Sequence, residues 1–268
     1  MRRASIAPPI EVVPHVAPHL PALARPDWPP VAEDTFLFYT IAEWTERKSV
    51  EKTVEAYLRA FSPRDRVLLI IKSTPADRRQ HGAAGGPAQE GTSSWALARV
   101  LARHRDPPPV RLITRDLADA EIAALHRRGD CFVSLARSEG FGLGSFDAAA
   151  HGNPVVITGF GGQLDYLSDS PYLVGFGLVS VHDPINFPSA SPEQRWAEPD
   201  IDHGAALMRE VFERPERARE LCVPLASEIR RRSAPEVIAH SLQAAVERHR
   251  RAAGVRQAGS SGSTRVVS

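Results

Sequence analysis

Two acidic residues flank a cluster of glycines in the segment EGFGLGSFDAAAHGNPVVIT. Glu139 and Asp147 are eight positions apart, and Gly140, Gly142 and Gly144 lie between them. Glycine permits positive φ and lets the backbone approach a ligand closely. Because the first N–H groups of a helix lack internal partners and carry partial positive charge, a helix that starts here would bind phosphate. Carboxylates accept hydrogen bonds from vicinal hydroxyls, so the two acids could each bind a sugar. The segment therefore favours a ligand in which a diphosphate lies between two sugars.

The same residues also fit a tight strand-to-helix turn whose acids are solvated or cap the helix. A nicotinamide site is poorly supported, because the sixth position of the G-x-G-x-x-G pattern is Ser145. A serine hydrolase stays open as a lesser alternative. The segment ARSEG is close to a nucleophile elbow at Ser138, with Asp165 and His182 following in the order Ser…Asp…His.

Strand-like and helical stretches alternate around this segment. FLFYTIA, RVLLIIK, VRLIT, CFVSLA and PVVIT read as strands, and the stretches between them have helical spacing, the last at about 143–151. GLVSVH reads as a further strand, and three helical segments follow over 202–253. Repeated β–α–β units predict an α/β fold with a doubly wound, Rossmann-like parallel sheet. Ligands in such sheets bind beyond the carboxyl ends of the strands, which is where ARSEGFG falls.

Composition excludes several classes of protein. The formal net charge is +1, so no overall field attracts nucleic acid. No apolar run approaches the ~20 residues of a membrane span, and Cys131 and Cys222 are too few for a disulfide framework. We expect a cytoplasmic protein, with peripheral membrane association left open. The predicted domains are a proline-rich, linker-like segment over 1–34, a Rossmann-like domain over 35–253 and a disordered tail over 254–268.

The glycine-rich segment resembles the E-x7-E signature of retaining glycosyltransferases of the GT-B fold, family-4 type. GDCFVSLARSEG, GFGGQLDYL and WTERKSVEKTVEAYLRAF resemble neighbouring parts of the nucleotide-sugar domain, and the likeness covers about 36–238. Two positions depart from the family pattern: Asp147 stands in place of the second glutamate, and Gly144 in place of the usual proline.

The resemblance implies a role for each matching residue. Glu139, the catalytic position, would bind hydroxyls of the transferred sugar, and Asp147 would bind the donor ribose. Lys48 matches the phosphate-binding lysine. Glu43 stands where the family has an arginine, so Arg47 is the substitute cation. The implied donor-binding set is Arg47, Lys48, Gly140, Phe141, Gly142, Leu143 and Asp147, without a metal ion or other cofactor.

Only about 35 residues precede the first strand, so the resemblance covers a single C-terminal half of a GT-B enzyme. We therefore expect hexosyl transfer from a nucleotide-diphosphate sugar to a glycan, lipid or protein acceptor, in a truncated enzyme or with a separate N-terminal acceptor-binding domain or chain. A catalytically inactive nucleotide-sugar-binding remnant is the alternative.

Three further residues have competing interpretations. Trp44 is predicted either to stack on a ligand or to pack in the interior. Asp202, in the segment DID, is predicted to cap a helix rather than bind a metal. His182 is predicted to be structural, although it ends an apolar stretch that could reach the edge of the cleft.

Overall fold

The computed structural model describes residues 11–17, 31–79 and 90–260, with side chains as far as Arg251. Their contacts divide the chain into two compact units. One unit comprises 31–79 and 90–227, and the other comprises 11–17 and 228–260. The sheet and the glycine-rich segment both belong to the larger unit.

The larger unit contains a six-stranded sheet in the order β3-β2-β1-β4-β5-β6, and every pair in it is parallel. Its strands are β1 (Phe36–Ile41), β2 (Val67–Lys72), β3 (Val110–Ile113), β4 (Cys131–Ser134), β5 (Val155–Thr158) and β6 (Leu173–Val174). The predicted doubly wound fold is confirmed. Strand order reverses between β1 and β4, and that reversal opens a crevice at the carboxyl ends of these two strands.

Helices cover both faces of the sheet. They are α1 (Val50–Ala60), α2 (Ser93–Leu101), α3 (Asp119–Arg128), α4 (Leu143–His151), α5 (Leu164–Leu167) and α6 (Ile201–Glu213). Contacts join α1 to α2 and α6, whereas α3 contacts α4. The helical spacing in α1 buries Val50, Val54 and Tyr57 against the sheet. The strands β2 and β4 are buried almost throughout, as continuous apolar runs require in a covered parallel sheet.

A two-stranded antiparallel hairpin follows the sheet. It pairs β7 (Phe176–Ser180), which the sequence predicts, with β8 (Arg195–Pro199), which it does not. Trp196 and Ala197 of β8 are buried, while all five residues of β7 are exposed. The hairpin therefore packs against the rest of the larger unit through β8.

The three predicted C-terminal helices are α6, α7 (Pro215–Arg232) and α8 (Pro235–Ser260). Because α8 continues to Ser260, residues 254–260 are helical where the sequence predicts a disordered tail. Residues 261–268, and residues 1–10 and 18–30 of the proline-rich segment, lie outside the described part. In the smaller unit the Arg248 guanidinium donates to the Glu11 carboxylate at 2.9 and 3.0 Å. No helix within the described residues is long and apolar enough to cross a membrane.

Candidate functional site

Two loops meet at the crevice between β1 and β4. The first follows β1 and carries Arg47 and Lys48, and the second follows β4 and carries Glu139. The loops are joined directly, because the N–H of Arg137 donates to the carbonyl of Arg47 at 2.8 Å. Residues 90 or more positions apart in the chain thus face one another where a doubly wound sheet binds its ligands.

The Glu139 carboxylate is held by two cations. Lys48 Nζ donates to its two oxygens at 2.6 and 2.8 Å, and Arg47 Nη1 donates to Oε2 at 3.2 Å. The Glu139 side chain is 9% exposed, whereas those of Lys48 and Arg47 are 21% and 31% exposed. Arg47 Nη1 also donates to the carbonyl of Ser138 at 2.7 Å. The cluster has one positive charge more than its carboxylate neutralises, and the cations are its more accessible part.

A glycine pair after β5 supports the loop that carries Glu139. The N–H of Gly162 donates to the carbonyl of Glu139 at 2.9 Å. A Cβ on Gly162 would lie 1.8 Å from the carbonyl oxygen of Gly140, and one on Gly161 would lie 2.7 Å from that of Glu139. Only glycine allows the two backbones to approach so closely, so both positions fix the path of the 139–141 segment.

Helix α4 begins directly behind this loop and is open at its first turn. Gly142, the N-cap residue, has φ of 84°, a left-handed conformation that favours glycine. Within the described part of the chain, the N–H groups of Gly142, Leu143 and Gly144 have no acceptor. Leu143 is 54% exposed, so this helix start faces solvent. Unpaired N–H groups and the helix dipole together favour an anion here.

An aromatic cluster fixes the turn between the loop and α4. Phe141, Phe146 and Tyr166 pack with ring centroids 5.0–5.2 Å apart. The Tyr166 hydroxyl donates to the carbonyls of Phe141 and Gly142 at 2.9 and 2.8 Å and contacts Ser145 Oγ at 2.8 Å. These bonds use the carbonyl side of the turn and leave its N–H side open.

The two acids of the sequence motif act on one neighbour. Burial raises the pKa of Tyr166, the hydrogen bond with Ser145 lowers it in part, and the negative charges of Glu139, Asp147 and Asp165 raise it further. Asp147 lies in α4, is half-buried, and its carbonyl accepts from His151 Nδ1 at 2.7 Å. Asp147 therefore lies in the electrostatic environment of the helix start, while Glu139 makes the direct contacts with the cations.

Of the predicted site residues, the structure brings together Glu139, Arg47 and Lys48 and places the glycine turn beside them. Gly140 is exposed, with open space where a Cβ would stand. Sequence reasoning missed the roles of Tyr166 and Arg137. A tyrosine four residues after a double glycine, and an arginine at the end of a buried run, were the available signals.

Ser138 does not have the geometry that the serine hydrolase alternative requires. Ser138 lies four residues after the end of β4 and five before the start of α4, whereas a nucleophile elbow joins strand and helix in one sharp turn. No histidine among the described residues hydrogen-bonds to the Ser138 hydroxyl, and His182 is exposed beyond the end of β7. The backbone carbonyl of Ser138 instead accepts a hydrogen bond from Arg47.

Two of the competing interpretations are settled by burial and capping. Trp44 is fully buried, so it packs in the interior and does not stack on a ligand. The predicted cap at Asp202 is wrong: Asp200 is the N-cap of α6 and accepts from the N–H of His203 at 3.0 Å. Asp202 instead pairs with Arg59 at 2.6 Å. The described residues contain no cluster of three or more His, Cys, Asp or Glu that could hold a metal.

A separate cavity of about 370 Å³ lies along α1. Its lining includes neither Glu139 nor the start of α4. Most of its charges are paired, with Arg79 bonded to Glu51 at 2.6 Å and Arg103 bonded to Glu51 at 2.8 Å. Chemistry rather than volume therefore identifies the candidate site, because the ion-paired Glu139 lies three residues before Gly142, where α4 begins.

Comparisons with known proteins concern the sequence and the fold of the chain. The sequence model of a family described as "Family 4 Glycosyltransferase in conflict systems" matches residues 2–242. No curated protein matches the chain.

Solved structures of similar fold have low sequence identity. The trehalose 6-phosphate synthase of Burkholderia multivorans has a TM-score of 0.59 at 16% identity, covering 87% of this chain and 45% of that one. The sucrose-phosphate synthase of Thermosynechococcus elongatus has a TM-score of 0.59 at 16% identity, covering 83% of this chain and 47% of that one. The chain thus spans less than half the length of these structures.

Proposed function

Because the chain belongs to the family-4 glycosyltransferases of conflict systems, we propose that it binds a nucleotide-diphosphate sugar and transfers the sugar with retention of configuration. The observation that supports this most is the Glu139–Lys48–Arg47 cluster beside the open start of α4. Here the cations and N–H donors suit a diphosphate, and the carboxylate suits sugar hydroxyls.

Binding of the donor would redistribute the contacts of the cluster. The diphosphate accepts from the N–H groups of Gly142, Leu143 and Gly144 and draws Lys48 and Arg47 toward its oxygens. Glu139 then accepts hydrogen bonds from hydroxyls of the sugar, and Asp147 accepts from the ribose with one methylene less reach than glutamate. Lys48, Arg47 and the helix start together balance the phosphate charge without a metal ion.

In the transfer step the bond between the sugar C1 and the phosphate oxygen breaks, and a bond from C1 to the acceptor oxygen forms on the same face. The acceptor hydroxyl passes its proton to the leaving diphosphate, so no protein nucleophile is needed. The protein contributes orientation and stabilises the charge that develops on the leaving phosphate. The acceptor is any hydroxyl-bearing molecule, a glycan, a lipid or a protein.

A second candidate is a nucleotide-sugar-binding protein with no transfer activity of its own. The observation in its favour is that the chain spans only 45–47% of the synthase structures named above. Orientation of the acceptor contributes ~7–11 kcal/mol in well-aligned reactions, so transfer depends on a surface that faces the donor. We propose that a separate acceptor-binding domain or chain supplies that surface.

One pair of experiments tests the function and separates the candidates. The chain is titrated with UDP, GDP and ADP and with their hexose conjugates, and saturable binding of one nucleotide series is expected. Radiolabelled donor is then incubated with the chain, with and without a candidate acceptor-binding partner chain. Labelled product supports the transferase. Donor binding with no product in either reaction supports the binding protein, and absence of binding to every nucleotide contradicts both.

A further inference from the structure

Arg137 connects three segments of the larger unit. Its guanidinium donates to the carbonyl of Glu46 at 2.9 Å, to the carboxylate of Glu46 at 2.7 Å and to that of Glu198 at 3.0 Å. It also stacks over the Trp196 ring, with 5.0 Å from Cζ to the ring centroid. Glu46 belongs to the loop that carries the two cations, while Glu198 and Trp196 belong to β8.

The backbone of Arg137 extends the same connection. Its N–H donates to the carbonyl of Arg47 at 2.8 Å, and its carbonyl accepts from the N–H of Ala197 at 2.9 Å. Two residues further along the chain is Glu139. Every contact of Arg137 therefore joins the loop that carries Glu139 to the loop that carries its cations, or to β8.

We infer that Arg137 is a positioning residue of the candidate donor site, which sets the separation of Glu139 from Lys48 and Arg47. The inference rests on the proposed function, since the site it positions is the proposed donor site. The Arg137 side chain is only 16% exposed, so its bonds are little weakened by water. A lysine cannot reproduce them, because its single ammonium lacks the planar fork that reaches both carboxylates and stacks on an indole.

A matched arginine elsewhere in the same unit provides the control. Arg209 bonds the Asp65 carboxylate at 2.8 Å, bonds the carbonyl of Ala60, and lies 4.6 Å above the Phe61 ring. These are the same kinds of contact as those of Arg137, and none of them involves the two loops of the site. Loss of either arginine therefore removes comparable stabilising contacts, but only one of the two changes the site.

The first measurement needs no ligand. Lys48 is labelled with an amine-reactive ester, and its rate of modification is read by mass spectrometry in the full chain. We expect at least fivefold faster labelling of Lys48 in Arg137→Gln, and an intermediate rate in Arg137→Lys. In Arg209→Gln the rate stays within twofold of wild type. Wild-type labelling of Lys48 in Arg137→Gln overturns the inference, whether or not the chain binds nucleotides.

The second measurement is a double-mutant cycle on nucleoside diphosphate binding, with the diphosphate that the wild-type chain binds best. We expect Arg137→Gln to raise its Kd about tenfold, because the displaced Lys48 no longer reaches the phosphate even though it is freed from Glu139. In a Lys48→Met background Arg137→Gln should therefore have a smaller effect. If the effects of Arg137→Gln and Lys48→Met on the binding free energy are fully additive, the inference is overturned. Failure of the wild-type chain to bind any nucleotide is a failure of the proposed function alone, and the labelling rates still decide the role of Arg137.

Discussion

Replacing Glu139 by glutamine removes one charge and leaves the shape of the side chain nearly unchanged. In the structure this carboxylate is bonded by Lys48 at 2.6 and 2.8 Å and by Arg47 at 3.2 Å. An amide accepts only weakly from two cations, so the substitution frees positive charge beside the helix start. We therefore expect Glu139→Gln to bind the nucleoside diphosphate more tightly than wild type.

The size of the effect follows from Coulomb's law. A unit charge about 5 Å from a phosphate contributes roughly 3 kcal/mol at an effective dielectric constant of about 20. The cations are 21% and 31% exposed, and screening by water and salt reduces the gain to about 1 kcal/mol, or about fivefold in Kd. For the nucleotide sugar the gain in affinity is cancelled, because an amide at position 139 accepts hydrogen bonds from the sugar hydroxyls more weakly than the carboxylate does. The ratio of the two affinities shifts toward the free diphosphate.

Isothermal titration calorimetry with the diphosphate and its hexose conjugate measures both affinities. Glu51→Gln is the matched control, since Glu51 accepts from Arg79 at 2.6 Å and Arg103 at 2.8 Å without contacting the glycine loop. The control should leave both affinities within twofold of wild type. A weaker affinity of Glu139→Gln for the free diphosphate would refute the reasoning that this carboxylate competes with phosphate for the cations.

Three further predictions concern stability and the turn before α4. Gly142→Val should lose nucleotide binding and about 2 kcal/mol of stability in urea titrations, because Gly142 has φ of 84° and a Cβ would lie 2.7 Å from Ser145 Oγ. Gly162→Ala should lower stability and displace the Glu139 loop, since its Cβ would lie 1.8 Å from the Gly140 carbonyl; an unchanged urea midpoint would contradict this. Burial, and to a lesser extent the charge of His151, lowers the pKa of His126 to about 3. Between pH 6.5 and pH 3, His126 is therefore protonated in the unfolded chain but neutral in the folded chain. The free energy of unfolding should fall by about 1.4 kcal/mol for each pH unit below 6.5, and His126→Gln should flatten that slope.

The sequence predicts most of the sheet and the helix that follows the glycines. Apolar runs such as VLLII identify covered parallel strands, and α4 begins and ends where the glycine spacing indicates. The hairpin strand β8 escapes prediction, because RWAEP lacks strand alternation and is ordered by its pairing with β7 and the burial of Trp196. Such pairing depends on tertiary contacts that no local pattern reports.

The site is only partly predictable for the same reason. Lys48 and Glu139 are both recognisable in sequence, but their ion pair joins residues 91 positions apart and exists because β1 lies beside β4. Trp44 fits packing and stacking equally well until its burial is known. Between Asp200 and Asp202, only the extended backbone of Asp200, with φ of −76° and ψ of 107°, decides which one caps α6.

The central claim is that the helix start behind Phe141 receives a diphosphate. Amide chemical shifts of the ¹⁵N-labelled chain, followed during titration with UDP, GDP and ADP, test it most directly. We expect one nucleotide to produce saturable shifts that are largest at Gly142, Leu143 and Gly144. Saturable binding that shifts amides elsewhere and leaves these three unchanged would contradict the claim, as would the absence of shifts with all three nucleotides.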